Sequence, residues 1–252
     1  MIEILPIPAF EDNYIWFLRS KNHAVVVDPG DATPVIETIK ESGLILDAIL
    51  VTHHHNDHIG GVHELISRYH EAVVYAPARE AYNFPHVPAV EGDSVRLGHL
   101  GLNLTVLEVP GHTLGHVAYY GNRMLFCGDT LFACGCGRLF EGTPAQMHAS
   151  LQRLASLPRE SAVYCTHEYT EHNIRFARAL DPDNQALLQR QQQVARIREA
   201  GKPSLPSTIG LELETNPFLR CDAPAIRKAA GINIPGHALE VFTVIRNMRN
   251  HY

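Results

Sequence analysis

The chain has 252 residues, 45% of them hydrophobic, which is enough apolar material for one large domain or a domain and a half. Its formal net charge of −6 argues against a nucleic-acid partner, because phosphates demand a basic footprint. No apolar run is long enough to span a bilayer, and the start, Met1-Ile2-Glu3-Ile4-Leu5-Pro6, has no basic leader or small-residue cleavage site, so a cytoplasmic location is expected. Ile15 to Leu18 and Ala24 to Asp28 read as strands, and a helix is predicted from Thr33 to Glu41, stopped near Gly43.

The next segment carries the chemistry. After the apolar Ala48-Ile49-Leu50-Val51, the run Thr52-His53-His54-His55-Asn56-Asp57-His58 packs four histidines and an aspartate together. Imidazole nitrogen and carboxylate oxygen suit zinc and other first-row divalent ions. In an extended turn alternate side chains share a face, so His53 and His55 can reach one ion while His54 points elsewhere. Asp57 and His58 fall one step further along and are better placed for a second ion. A polar loop or tag would not sit between a strand and a helix, and Val62, Leu65, Ile66 and Tyr69 recur at helical spacing directly afterwards. Asp57 near the positive end of that helix would be held in its ionised form.

Two ions need more ligands than one loop supplies. His112 follows the strand-like Leu104-Thr105-Val106-Leu107, Asp129 ends Leu125-Phe126-Cys127-Gly128, and His167 ends Ala162-Val163-Tyr164-Cys165-Thr166. Each stands just beyond the carboxyl end of a predicted strand, where open α/β sheets place their sites. One such residue alone is more often a hydrogen-bonded core residue; three in equivalent positions complete a set of seven. Residues 116–120 and 123–127 are expected to form a hairpin across Gly121-Asn122, and Thr143-Pro144-Ala145-Gln146 opens a helix with a capping box and a buried stripe of Met147, Leu151 and Leu154. The five cysteines, Cys127, Cys134, Cys136, Cys165 and Cys221, are odd in number and scattered, so buried free thiols are expected rather than disulfides or thiolate ligands.

From about Glu171 the strands are expected to stop. A helix is predicted over Asn184 to Ala200, closed by Gly201, with Leu187, Leu188, Val194 and Ile197 inward and Gln189-Arg190-Gln191-Gln192-Gln193 read as a solvated face. A Pro-bearing connection, Lys202 to Pro217, leads to short helices over 223–230 and 237–250. Between Leu219 and Tyr252, Arg220, Arg227, Lys228, Arg246 and Arg249 face only Asp222 and Glu240, a local charge of +3 that would suit a small anion or be an ordinary solvated face.

The set Thr-His-x-His-x-Asp-His, Pro-Gly-His-Thr-x-Gly-His, Gly-Asp-Thr-Leu-Phe and Thr-His-Glu-Tyr-Thr resembles the metallo-β-lactamase superfamily. Pro8 to Trp16, Val27-Asp28-Pro29-Gly30 and Gly135 to Thr143 narrow the resemblance to glyoxalase II, the hydroxyacylglutathione hydrolases. The resemblance implies an α/β fold, a four-layer αββα sandwich over residues 1–168, and an all-α glutathione-binding domain over 169–252. It implies two divalent ions, zinc first with iron or manganese as alternatives. His53, His55 and His112 would hold one, Asp57, His58 and His167 the other, and Asp129 would bridge them, making Asp57 and Asp129 the carboxylates closest to catalysis. Arg249 resembles the arginine that takes the glycine carboxylate of glutathione; Arg138 and Tyr169 match peptide-contacting positions, and Arg246 joins them in the basic region. Two departures bear on affinity: Tyr252 stands where many members have a lysine, and Phe140 replaces a tyrosine found near the metals in some.

The activity so implied is hydrolysis of S-D-lactoylglutathione to D-lactate and glutathione by a monomer acting on a small molecule. A thiol leaving group of pKa about 8.5 needs little help from an acid, which accords with the absence of a Gly-x-Ser-x-Gly nucleophile motif. The competing reading is a persulfide dioxygenase, a mononuclear iron enzyme of the same fold, which the helical residues 171–252 argue against.

Overall fold

The computed structural model describes residues 2–252. The chain forms two compact units: residues up to Glu108 together with Leu114–Gly128, and Val109–Thr113 together with Asp129–Tyr252. The polypeptide therefore passes from one unit to the other three times.

The first unit opens with the antiparallel strands β1 (Glu3–Ala9), β2 (Asn13–Ser20) and β3 (His23–Val27). Helix α1 (Thr33–Ser42) follows and ends on Gly43, whose left-handed φ of 64° lets the chain turn into β4 (Ile45–Leu50), parallel to β3. The one-turn α2 (Asn56–Ile59) and α3 (Val62–Arg68) lead to β5 (Val73–Pro77) and β6 (Val87–Ala89), which complete a six-stranded mixed sheet in the order β1 to β6. Ile15, Phe17, Ala24, Val26 and Ile49 meet Val35, Ile36 and Ile39 of α1 and Val62 and Leu65 of α3 in one core. Strands β2 to β4 are buried on both faces, so they read as continuous apolar runs rather than alternating ones.

The opposite face of this sheet meets a second, antiparallel one. Its strands in the first unit are β7 (Ser94–Leu97), β8 (Leu102–Glu108), β9 (Val117–Gly121) and β10 (Met124–Gly128), with a 3₁₀ turn at Gly98–Leu100 before β8. Tyr119 of β9 reaches across and donates its hydroxyl to the Val51 carbonyl at 2.9 Å. The expected hairpin is present, displaced by one residue: Gly121 belongs to the strand, and Asn122 and Arg123, with φ of 49° and 60°, make the turn.

The second unit contains the short ribbon β11 (Leu131–Phe132) and β12 (Gly135–Cys136), helix α4 (Pro144–Ala155) and strand β13 (Ala162–Cys165). Helices α5 (Thr170–Leu180) and α6 (Gln185–Glu199), strand β14 (Ser207–Thr208), and helices α7 (Ile209–Thr215), α8 (Pro224–Ala229) and α9 (Ala238–Asn250) follow. The predicted capping box is formed: Thr143 accepts from the Gln146 amide and the Gln146 side chain accepts from the Thr143 amide. Met147, Leu151 and Leu154 are fully buried, as their spacing requires.

Two expectations fail here. The residues 202–217 are not merely a connection, since they supply β14, paired with β13, and the helix α7. Nor is 189–193 a uniformly solvated face. Arg190 is buried and binds Glu212 Oε1 of α7 at 2.6 Å, Thr215 Oγ1 at 2.6 Å and Ser207 Oγ at 2.9 Å. Burial alone would lower the guanidinium pKa, but the Glu212 carboxylate beside it raises it above the ordinary arginine value. Among the described residues no helix is long and apolar enough to cross a membrane. All five cysteines are buried and free, as expected.

Candidate metal centre

In the first unit β4 delivers its chain directly into the histidine-rich turn. His53 Nε2 and His55 Nδ1 lie 3.0 Å apart, while His54 turns away to Glu80 at 3.3 Å, so the alternation expected of an extended turn holds. His58 follows on α2, with its Nε2 3.5 Å from Asp57 Oδ2. Asp57 lies in the first turn of this separate one-turn helix and not at the start of α3, as the spacing had suggested.

The outer hydrogen bonds decide which nitrogen each ring presents. Asp28, at the end of β3, accepts from the Thr52 amide at 2.8 Å, from the Thr52 hydroxyl at 2.7 Å and from His58 Nδ1 at 2.9 Å. The Thr52 oxygen in turn accepts from His53 Nδ1 at 3.1 Å. With both Nδ1 atoms protonated, His53 and His58 present Nε2 lone pairs. Asn13 donates to Asp57 Oδ2 at 3.2 Å, and the ring of His116 stacks on His53 with centroids 4.6 Å apart. Gly30 brings the loop after Asp28 against α2, where any Cβ would collide with the Asp57 carbonyl.

In the second unit Asp129 is the hub. Its Oδ2 lies 3.5 Å from His112 Nε2 and 3.4 Å from His167 Nε2. His112 Nδ1 donates to the Arg138 carbonyl at 2.7 Å, again leaving Nε2 as the donor atom. The His112 loop is held by amides of Phe140 and Glu141, which donate to the His112 carbonyl at 3.2 and 3.3 Å. Gly137 passes so close that a Cβ would strike the Asp129 carbonyl. Tyr169 stacks on His167 at 4.7 Å with the rings within 4° of parallel.

Both donor groups therefore fit metal ions by their chemistry. Each is made of nitrogen and carboxylate donors; His53, His58, His112, Asp129 and His167 are buried, and His55 and Asp57 are partly exposed. The second nitrogen of His53, His58 and His112 is committed to an acceptor outside the group, as metal-binding imidazoles usually are.

The same unit holds a cavity of about 190 Å³ lined by Phe132, Cys136, Arg138, Tyr169, Arg246 and Arg249 among others, with no acidic residue in the lining. Arg246 is buried and donates to the carbonyls of Cys136 at 2.8 Å and Gly137 at 3.4 Å; Arg249 donates to Asn173 Oδ1 at 3.2 Å. Burial, with the positive charge of Arg246 nearby, lowers the pKa of Arg249, and the negative charge of a carboxylate in this cavity would act in the opposite direction. Arg138 lies 5.9 Å above the ring of Phe140, which is exposed.

Sequence reasoning assigned no role to Asp28, Thr52, Asn13 or His116. For Asp28 a signal was present, since it is a carboxylate at the carboxyl end of a strand, like Asp129. Nothing in the sequence ties His116 to His53.

Residues 9–167 match the family model of the metallo-beta-lactamase superfamily, and residues 168–252 match that of the hydroxyacylglutathione hydrolase C-terminus. The chain is 58% identical to a hydroxyacylglutathione hydrolase of Methylobacillus flagellatus, covering all of both chains, and 51% identical to one of Aeromonas hydrophila, covering 99% of each. Among solved structures it is similar to TTHA1623 in a di-iron-bound form, with a TM-score of 0.62 and 29% identity over 85% of this chain and all of that one. Its fold class is thus an α/β sandwich followed by a helical C-terminal part, and the chain belongs to the hydroxyacylglutathione hydrolase, or glyoxalase II, family of the metallo-β-lactamase superfamily.

Proposed function

We propose that the chain hydrolyses S-D-lactoylglutathione, and 2-hydroxyacylglutathione thioesters generally, to the hydroxy acid and glutathione. The observation that carries this reading is the full-length identity of 58% to a hydroxyacylglutathione hydrolase. The catalytic part is taken as residues 1–168 and the glutathione-binding part as 169–252.

In this reading the two donor groups belong to one binuclear centre. His53, His55 and His112 hold one ion, Asp57, His58 and His167 the other, and Asp129 is shared. Chain connectivity supports it: His112 lies four residues from His116, which stacks on His53, and Asp129 directly follows the last residue of β10 in the first unit. The di-iron form of TTHA1623 favours two ions over one, and nitrogen and oxygen donors suit zinc, with iron or manganese as alternatives. When bound, divalent ions lower the pKa of a water toward neutrality and supply positive charge opposite a developing oxyanion.

The protein's own residues do the rest. Asp28 and Thr52 fix the tautomers of His58 and His53, and the Arg138 carbonyl fixes that of His112. Arg249, with Arg138, Arg246 and Tyr169, draws the peptide carboxylates of glutathione into a cavity free of acidic lining. Water oxygen bonds to the acyl carbon, the carbon–sulfur bond breaks, and the thiolate leaves with little need of a protonating side chain. The enzyme acts as a monomer in the cytoplasm.

The test measures thioester hydrolysis beside oxygen uptake with glutathione persulfide. Rapid loss of lactoylglutathione absorbance with no oxygen consumption is expected; the reverse pattern would establish the dioxygenase reading instead.

A further inference from the structure

At the other end of the strands that carry the histidine turn lies a second cluster of metal-binding side chains. His23 is the first residue of β3, Asp47 lies early in β4, and His99 sits in the 3₁₀ turn before β8. Asp28 and the histidine turn leave the opposite ends of β3 and β4, five residues from His23 and six from Asp47, so the two places are separated by about 16 to 20 Å along the strands, taking about 3.3 Å per residue.

The geometry is specific. Asp47 Oδ1 lies 2.8 Å from His23 Nδ1, and Asp47 Oδ2 lies 3.1 Å from His99 Nδ1. The two imidazoles stack with centroids 3.9 Å apart and planes 27° from parallel. One donor atom from each of the three residues lies within 4.8 Å of the others. One carboxylate hydrogen bond would suffice to satisfy His23; engaging both oxygens of Asp47, one per ring, brings two nitrogens to the same side of one carboxylate. Protonating both stacked rings would set two like charges face to face. A divalent ion serves all three donors at once, since moving each ring proton to Nε2 frees both Nδ1 lone pairs toward it.

We propose that His23, Asp47 and His99 form a second, exchangeable site for a first-row divalent transition metal ion such as Zn2+ or Co2+. Two imidazoles and one carboxylate match the donor preference of these ions, and three protein ligands leave positions for water. The side chains of His23 and Asp47 are 17% and 19% exposed and pre-positioned, whereas that of His99 is 66% exposed and forms the entry side. Glu71 and Arg96 line the same groove and offset one another, so Asp47 supplies the net negative charge. An ion there ties β3 and β4 of the first sheet to the turn that feeds β8 of the second, and so stabilises the folded first unit.

The experiment uses the enzyme with its catalytic metals already loaded, dialysed against Zn2+ and, separately, Co2+. The expected result is one further ion per chain at submillimolar free metal, with a rise in Tm. In His99→Ala and in Asp47→Asn that additional ion and the Tm rise should disappear, while thioester hydrolysis stays at the wild-type rate. His99 is mostly exposed, so its variant keeps the fold even if the Asp47 variant does not. No additional ion in the wild type, or an additional ion that persists in His99→Ala, overturns the proposal. Because the readout is a difference in bound metal, it stands apart from whether lactoylglutathione is the substrate.

Discussion

The buried carboxylate of Asp28 accepts the Nδ1 proton of His58 at 2.9 Å, so a residue that is not itself a metal donor determines which nitrogen His58 offers. The same carboxylate accepts from the Thr52 amide and hydroxyl. Asp28→Asn keeps one acceptor oxygen but turns an NH2 toward His58, which would then have to carry its proton on Nε2. Metal affinity should fall about 10- to 100-fold, as for other outer ligands of metal-bound histidines. Chelator competition on the purified variant measures this, and an unchanged affinity would show that the tautomer argument is wrong.

Asp129→Asn should be more severe. With Asp129 Oδ2 within 3.5 Å of both His112 and His167, the carboxylate is the common negative charge of its group. Loaded wild-type protein is expected to contain about two ions per chain, with the variant reduced in both metal content and rate. Elemental analysis that finds one firmly bound ion in the wild type, with no second on titration, removes the binuclear mechanism.

Arg249→Ala should raise KM far more than it lowers kcat, because a contact to a distant carboxylate is made equally in ground and transition states. One charged hydrogen bond is worth about 1.5 to 3 kcal/mol, or roughly tenfold to a hundredfold in kcat/KM. Thioesters without the glycine carboxylate should be poor substrates for the wild type and nearly indifferent to the substitution. Unaltered lactoylglutathione kinetics would mean that Arg249 serves its Asn173 bond and no substrate.

The Arg190–Glu212 pair sets a different expectation, one of stability. Glu212 Oε2 accepts from the Cys134 amide at 2.8 Å and from Asn216 at 3.0 Å, and Asn216 donates to the carbonyls of Phe132 and Gly135, so the network supports the β11–β12 ribbon. Removing one partner strands a buried charge and should cost about 3 to 5 kcal/mol. Denaturant unfolding of Arg190→Ala tests it; a loss below about 1 kcal/mol, the scale of an exposed pair, would contradict the burial seen here.

The thiols should be inert in the native protein. Burial pushes Cys134 and Cys221 up to about 12 and raises Cys136 and Cys165 as well. Alkylation should therefore climb steadily with pH through the mildly alkaline range without levelling, and reach all five cysteines only after unfolding. Rapid labelling of any one at neutral pH counts against this.

The candidate donors were legible because coordination chemistry favours ligands close in sequence: His53, His55, Asp57 and His58 come from one turn, and the run announces itself. The helices with strong periodicity or a capping box, such as α1 and α4, were legible for the same local reason. Arg190 was not. Its partner lies 22 residues away in a Pro-flanked stretch with weak periodicity, and a single charged residue among glutamines has the pattern of a solvated face. Thr52 and His116 stayed invisible because their roles depend on contacts across strands, which no local pattern encodes, and Asp28 offered only its place at the end of a strand.

The passage of the chain between its units has a consequence for synthesis. Val109–Thr113, with His112, belongs to the second unit but leaves the ribosome before Leu114–Gly128, the last part of the first. The earlier unit cannot finish folding until the hairpin of β9 and β10 has emerged, and the later one begins with a five-residue fragment that must wait for everything after Asp129. Neither can mature as an independent module during translation, so a ribosome stalled soon after Thr113 holds a nascent chain that still lacks β9, β10 and everything from Asp129 onward.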